Sequence, residues 1–375
     1  MTSAWQRGIF IAFILVFMGA MAILAAPHLP RSRDFAQTFY PASRYTLAGE
    51  NPYTAEYIET DQGAPPDFFS PAWLLLILLP FGLFPLEMAQ ALWVIFLIGV
   101  TIAGIGLMRP WGLKGLWPLA LVALPWSLVG IYFGQVTALV FLGAIICIVE
   151  PEKPDRDRQS IAKLMGGFLL IGIKPQLGLF IAVPYLLLML WRQDRRVIPL
   201  AIIGLIVLGI TFIITPPWLV QKAIEVQRIT APLWKSTLER ELLLWGWPSW
   251  IAHLVRVLVI GTMGYWAWRE RALTLAWWSA WLAAVLIITP YTRAYDGVLL
   301  LPLLGQLLVL KRWWQTAVFL LVMLLYIQLP IGELGSVVAP LMAWLLFIPW
   351  RALFFNPPGG LSLETVPGME PPGGR

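Results

Sequence analysis

Residues 27–70 read PHLPRSRDFAQTFYPASRYTLAGENPYTAEYIETDQGAPPDFFS, with Asp34, Glu50, Glu56, Glu59, Asp61 and Asp67 set against Arg31, Arg33 and Arg44. An apolar run, 8–26, precedes this stretch, and apolar runs recur after it as far as Trp350. A polar, aromatic, turn-rich loop between such runs has nothing of its own to bury. Its place this early in the chain marks it as the candidate catalytic loop, above all Arg33-Asp34-Phe35 and Gly49-Glu50-Asn51-Pro52-Tyr53.

The rest of the chain sets the class. Of 375 residues, 59% are hydrophobic and only 12% charged, with 21 Trp and a mean hydropathy of +0.77, which is outside the range of soluble domains. The expected fold is all-α: a polytopic helical integral membrane protein, since a β-barrel would show short alternating strands instead. The net charge of +6 is spread over short loops, as membrane orientation requires, so no nucleic-acid partner is expected. The single cysteine, Cys147, excludes a disulfide within the chain. His28 and His253 are scattered, so no metal site and no cofactor are expected.

Candidate spans lie at roughly 8–26, 71–84, 87–108, 116–132, 134–149, 161–173, 175–191, 197–215, 248–268, 272–289, 297–310, 313–329 and 335–350. Arg7, the turn Arg192/Arg195/Arg196, Arg269/Arg271, Lys311/Arg312 and Arg351 mark the cytoplasmic side. The loop 27–70 and the later loops 216–247, 290–296 and 330–335 then share the outer face. An odd number of segments cannot join an inside N-terminus to an inside Arg351, so about 12 cross, with interfacial helices in the outer loops. If 161–173 and 175–191 form a hairpin, 71–84 is the piece that does not cross and Lys174 lies at the outer face. If they form one kinked helix, Lys174 is buried in mid-membrane. The hairpin is the favoured reading. Residues 1–350 thus read as one transmembrane domain and 351–375, with its repeated Pro-Pro-Gly-Gly, as a disordered cytoplasmic tail.

Within the loop, Phe35, Phe39, Ala42 and Tyr45 recur at helical spacing and predict an interfacial helix that Pro41 breaks or kinks and Gly49 stops. Asp34 then sits at a helix N-terminus, where an N-cap is the structural alternative to chemistry.

Taken in order, these motifs resemble a known family. One span, Arg33-Asp34-Phe35, a Tyr40-bearing helix, Asn51-Pro52-Tyr53 and Phe68-Phe69-Ser70-Pro71 are followed by Gly134-Gln135-Val136, Lys174-Pro175-Gln176, Thr289-Pro290-Tyr291 and Tyr295-Asp296. The series is similar to polyprenyl-phosphate-mannose-dependent mannosyltransferases of glycosyltransferase family eighty-seven, within the GT-C membrane glycosyltransferases. The resemblance implies a GT-C-like fold and inverting transfer of a sugar, expected to be mannose, from a polyprenyl-phosphate donor to a lipid or glycan acceptor. It places the protein in the plasma (inner) membrane with its site on the outer face. It carries over Asp34 as general base, which agrees with the need for a carboxylate to take the acceptor proton. No Asp-x-Asp or Glu-x-Asp motif follows Asp34 directly.

A leaving phosphate needs cations or hydrogen-bond donors, and Lys174, Arg256 and Arg293 are the candidates. Lys174 reads equally as a snorkelling lysine, and Arg256 as an interfacial residue sharing a helical face with His253. Asp296 reads equally as an N-cap or as a clasp to Arg293. Gln135 either satisfies a broken backbone or touches a sugar hydroxyl, and Tyr40, Asn51, Tyr53 and Tyr291 complete the candidate donor-binding set. Trp218, Trp245, Trp247 and Trp250 read first as an interfacial belt. Helical spacing in 216–247 predicts amphipathic helices over the site mouth. Other classes remain open: a secondary transporter or lipid flippase, which needs ionisable groups near the midplane, and a non-catalytic assembly factor in which Asp34 is replaceable.

Overall fold

The computed structural model describes residues 34–53, 68, 70–109, 112, 121, 124–150, 158–214, 238–239, 242, 246–270, 274–289, 292–328 and 335–349. The predicted span 8–26, His28, Tyr291, the tail 351–375 and most of 216–247 lie outside them. The described residues are helical: α1 Tyr40–Leu47, α2 Trp73–Gly82, α3 Leu86–Leu107, α4 Pro125–Phe133, α5 Thr137–Val149, α6 Arg158–Gly172, α7 Pro175–Trp191, α8 Val197–Ile214, α9 Trp250–Glu270, α10 Leu275–Ile288, α11 Leu301–Val309, α12 Trp313–Gln328 and α13 Gly335–Phe347. A π-helix, Phe35–Phe39, precedes α1, and a 3-10 helix, Ala294–Leu300, precedes α11.

Two of these helices, α3 and Trp250–Arg269 within α9, are long and apolar enough to cross a membrane. Trp73–Gly82, Thr137–Val149, Pro175–Trp191 and Leu275–Ile288 are apolar but run only 10–17 residues, so helix length among the described residues does not itself account for about 12 spans. They are short because the chain breaks them at polar motifs such as Gly134-Gln135 and Lys174-Pro175, where side chains meet the freed backbone.

The break at Lys174 is a hairpin. Arg196, just past α7, donates from Nη1 to Ser160 Oγ, near the start of α6, at 2.7 Å. One continuous helix would hold those residues about 54 Å apart at 1.5 Å per residue. Arg196 also grips Asp194 through Nε and Nη2, at 2.6 to 3.0 Å, and both side chains are buried. That bonded carboxylate holds the Arg196 guanidinium above its ordinary pKa. Lys163 approaches Glu150 at 3.6 Å, so the start of α6 meets the end of α5 in the same layer.

Helix α5 runs antiparallel to α6 at very short range. A Cβ on Gly143 would stand 2.6 Å from the Gly167 carbonyl oxygen, and the Gly167 position is bounded by Cys147 Sγ. Small residues admit this approach, as helix packing in lipid favours. From Glu150, α5 leads back to a second polar layer at Thr137, about 20 Å away for 13 residues. Between the layers the bundle is apolar, with α10 buried along its length.

The α2 helix does not run between the layers. Its first residue, Trp73, donates to Leu169 O at 2.9 Å, close to Lys174. Its far end meets α1, where Arg44 donates to Gly82 O and the Tyr40 hydroxyl to Phe84 O. Both of its ends therefore meet the same end of the bundle. Large apolar side chains along α8 and α9, among them Leu205, Ile213, Val257 and Trp268, remain exposed.

A Gly143→Ala change should cost about 1–3 kcal/mol, because backbone must shift to admit the methyl group. Gly166→Ala, with nothing within 4 Å of its Cβ, should be neutral or stabilising. Thermal unfolding of both in detergent distinguishes them.

Candidate functional site

Asp34 opens the site. Phe35–Phe39 winds as a π-helix, with the Tyr40 N–H bonded to Phe35 O, and the α-helix resumes with Pro41 in its first turn. Proline has no N–H for the carbonyl four residues back, so a local change of register there carries no extra lost bond. The helical winding is therefore continuous through Pro41 rather than broken by it. Asp34 makes no side-chain cap bond. Its Oδ2 instead accepts a hydrogen bond from Gln135 Nε2.

Gln135 is aimed by the end of α4. Gly134 closes that helix at φ +70°, a conformation that costs a residue with a Cβ roughly 1–2 kcal/mol. The Gln135 N–H then returns to Gly130 O at 2.8 Å, and α5 begins at Thr137. Fully buried Trp93 of α3 ties this turn to the loop. Its ring stacks on Phe35 at 5.3 Å and 17°, while its Nε1 donates to Gly134 O at 2.9 Å. One indole thus fixes the residue beside Asp34 and the residue beside Gln135.

Two residues beyond Gln135, Thr137 joins a buried network. Lys174 Nζ donates to Asp296 Oδ1 and to Thr137 Oγ1, both at 2.7 Å, and lies 4.4 Å from the Tyr295 ring centroid. The Thr137 hydroxyl in turn donates to Asp296 Oδ1 at 2.7 Å. Two acceptors and an aromatic face therefore surround the ammonium group. Asp296 is fully buried and Lys174 8% exposed, so Lys174 does not snorkel, which corrects that part of the sequence expectation. Asp296 does cap, since its Oδ2 accepts the Arg293 N–H at 2.9 Å. It does so from within the 3-10 helix, and holds Arg293 by backbone.

The remaining predicted residues stand in other settings. The Tyr53 hydroxyl donates to Ser70 O at 2.8 Å and its ring packs on Phe68, so it clasps the two ends of the loop. Asn51 Oδ1 accepts the Tyr53 N–H at 2.9 Å in a local turn. Tyr40 is spent on Phe84 O, as above. Arg256 and His253 converge on Glu239 rather than on Asp34 or Asp296. Arg256 Nη1 is bonded to Glu239 Oε1, and His253 Nδ1 is 3.7 Å from the same oxygen. Trp247 and Trp250 are exposed. Among the described residues no group of three or more His, Cys, Asp and Glu side chains could hold a metal.

No protein-family profile matches the chain, and no curated protein or solved structure is similar to it.

Sequence reasoning missed Trp93 and Thr137. Trp93 carried a signal, because an indole N–H in the middle of an apolar helix needs an acceptor. Thr137 carried none beyond its place after Gly134-Gln135.

Asp296→Asn should destabilise the fold by about 3–5 kcal/mol, because it strands the Lys174 charge. Adding Lys174→Met to that variant should recover more than half of the loss, as read from unfolding midpoints in detergent.

Proposed function

We propose that the chain is an inverting membrane glycosyltransferase of the GT-C type, similar to family eighty-seven, that uses Asp34 as general base. The observation that carries the reading is the Asp34 carboxylate, which serves no helix cap and is oriented by a side-chain amide at the same end of the bundle as the Lys174–Asp296 network. Structural N-caps spend their oxygens on nearby backbone N–H groups. This one is directed across the chain instead.

In the proposed reaction, Asp34 takes the proton of an acceptor hydroxyl as that oxygen attacks the anomeric carbon. The bond from that carbon to the lipid phosphate breaks, its electron pair leaves with the phosphate, and the configuration inverts. Gln135 holds the carboxylate in place through its amide N–H. The Lys174–Asp296 pair is neutral overall, so it orders the floor of the site and adds little net charge for the phosphate. The donor is a polyprenyl-phosphate sugar, with mannose the expected sugar, and the acceptor is a lipid or glycan hydroxyl. In this reading the chain is multi-pass, with about 12 spans in the plasma (inner) membrane and this end of the bundle outward.

A second reading draws on the same network. A buried Lys–Asp pair beside a broken helix also suits an ion-coupled transporter or flippase. The pair lies in one end layer, beside the Asp34–Gln135 contact, which favours chemistry on one face. An assembly factor would leave Asp34 replaceable.

Purified protein given a labelled polyprenyl-phosphate sugar and acceptor should turn over. Asp34→Asn should lose about 10²–10⁴-fold in rate with an unchanged unfolding midpoint. Equal turnover by both proteins would remove Asp34 from the chemistry.

A further inference from the structure

Arg256 lies on α9 roughly 9 Å along the helix axis from Trp250, and its surroundings differ from those of the Asp34 end. Its Nη1 is bonded to Glu239, whose neighbours Leu238 and Leu242 are buried. Its Nε and Nη2 are buried and have no hydrogen-bond partner among the described residues. These two nitrogens form one edge of the guanidinium, the planar fork that matches two oxygens of a phosphate or carboxylate. Glu239 holds the third nitrogen and leaves that fork whole.

Position narrows the occupant. Trp247, Trp250, Leu254, Val257 and Leu258 are exposed on the same stretch, an apolar and Trp-bearing surface of the kind that meets lipid near its headgroups. A buried, unsatisfied cation there favours an oxyanion that arrives on an apolar chain. We infer that Arg256 is a lipid-phosphate site, and that Glu239 is a latch which the incoming phosphate displaces. In the latched state Glu239 supplies the counter-charge. In the occupied state the phosphate takes the Nε and Nη2 edge, and Glu239 is released. His253, 67% exposed in its side chain, lies 3.7 Å from the same Glu239 oxygen. The inference does not rest on Asp34 being a base.

Binding of farnesyl phosphate, dihexanoyl phosphatidic acid and inorganic phosphate to the purified full chain in detergent tests it by calorimetry. One or both lipid phosphates should bind at least 10-fold more tightly than inorganic phosphate, and the tighter of the two names the source. Arg256→Lys keeps the charge but loses the fork, and should weaken that binding at least 10-fold. Glu239→Gln keeps the shape but weakens the latch, and should tighten it at least 3-fold. Binding that survives Arg256→Lys but is weakened by Asp34→Asn would place the ligand at the glycosyltransferase site instead, which overturns this site and leaves that reading standing. Unchanged affinity in either Arg256→Lys or Glu239→Gln overturns the site. Equal binding of inorganic phosphate overturns its assignment to a lipid.

Discussion

A lysine ammonium buried between helix ends needs a counter-charge, and much of the described structure is arranged to supply one. Lys174 ends the first arm of a hairpin, Asp296 lies in a 3-10 turn far along the chain, and Thr137 opens α5. Lys174 left without the other two would be a buried charge with no hydrogen-bond partner, at a cost of several kcal/mol. Meeting that requirement brings three chain breaks to one place. Gln135 is two residues from Thr137, so the same constraint sets where its amide can reach, and it reaches Asp34.

The opposite end of the bundle shows the same logic with a different outcome. Arg196 is satisfied by Asp194 and Ser160, and Lys163 approaches Glu150. This layer closes a hairpin and turns the chain into α8. The two polar layers, about 20 Å apart along α5, enclose an apolar middle in which α5 and α6 touch through Gly143 and Gly167. That spacing is shorter than the roughly 30 Å of a bilayer core.

Part of this was legible in the sequence. Gly134-Gln135, Lys174-Pro175 and Tyr295-Asp296 stood out because glycine, proline and charge are rare inside apolar helices, and the structure brings all three together. The hairpin followed from charge placement. Partners were not legible, because pairings between distant segments leave no local pattern. Lys174 could not be matched to Asp296 rather than to a phosphate, nor Arg256 to Glu239. Tyr40 and Tyr53 looked available for a sugar because a hydroxyl in a sequence does not reveal the backbone carbonyl it will find. Trp93 was hidden among many tryptophans, although its contacts to Phe35 and Gly134 couple the two halves of the site.

The central claim is that Asp34 and Gln135 act as one unit. A double-mutant cycle on sugar-transfer rate, with Asp34→Asn, Gln135→Ala and the pair, tests it most directly. The account predicts strong non-additivity, because an amide that serves only to orient a carboxylate has nothing further to lose once that carboxylate has gone. The double variant should then be no slower than Asp34→Asn alone. Rate losses that simply multiply would contradict the account.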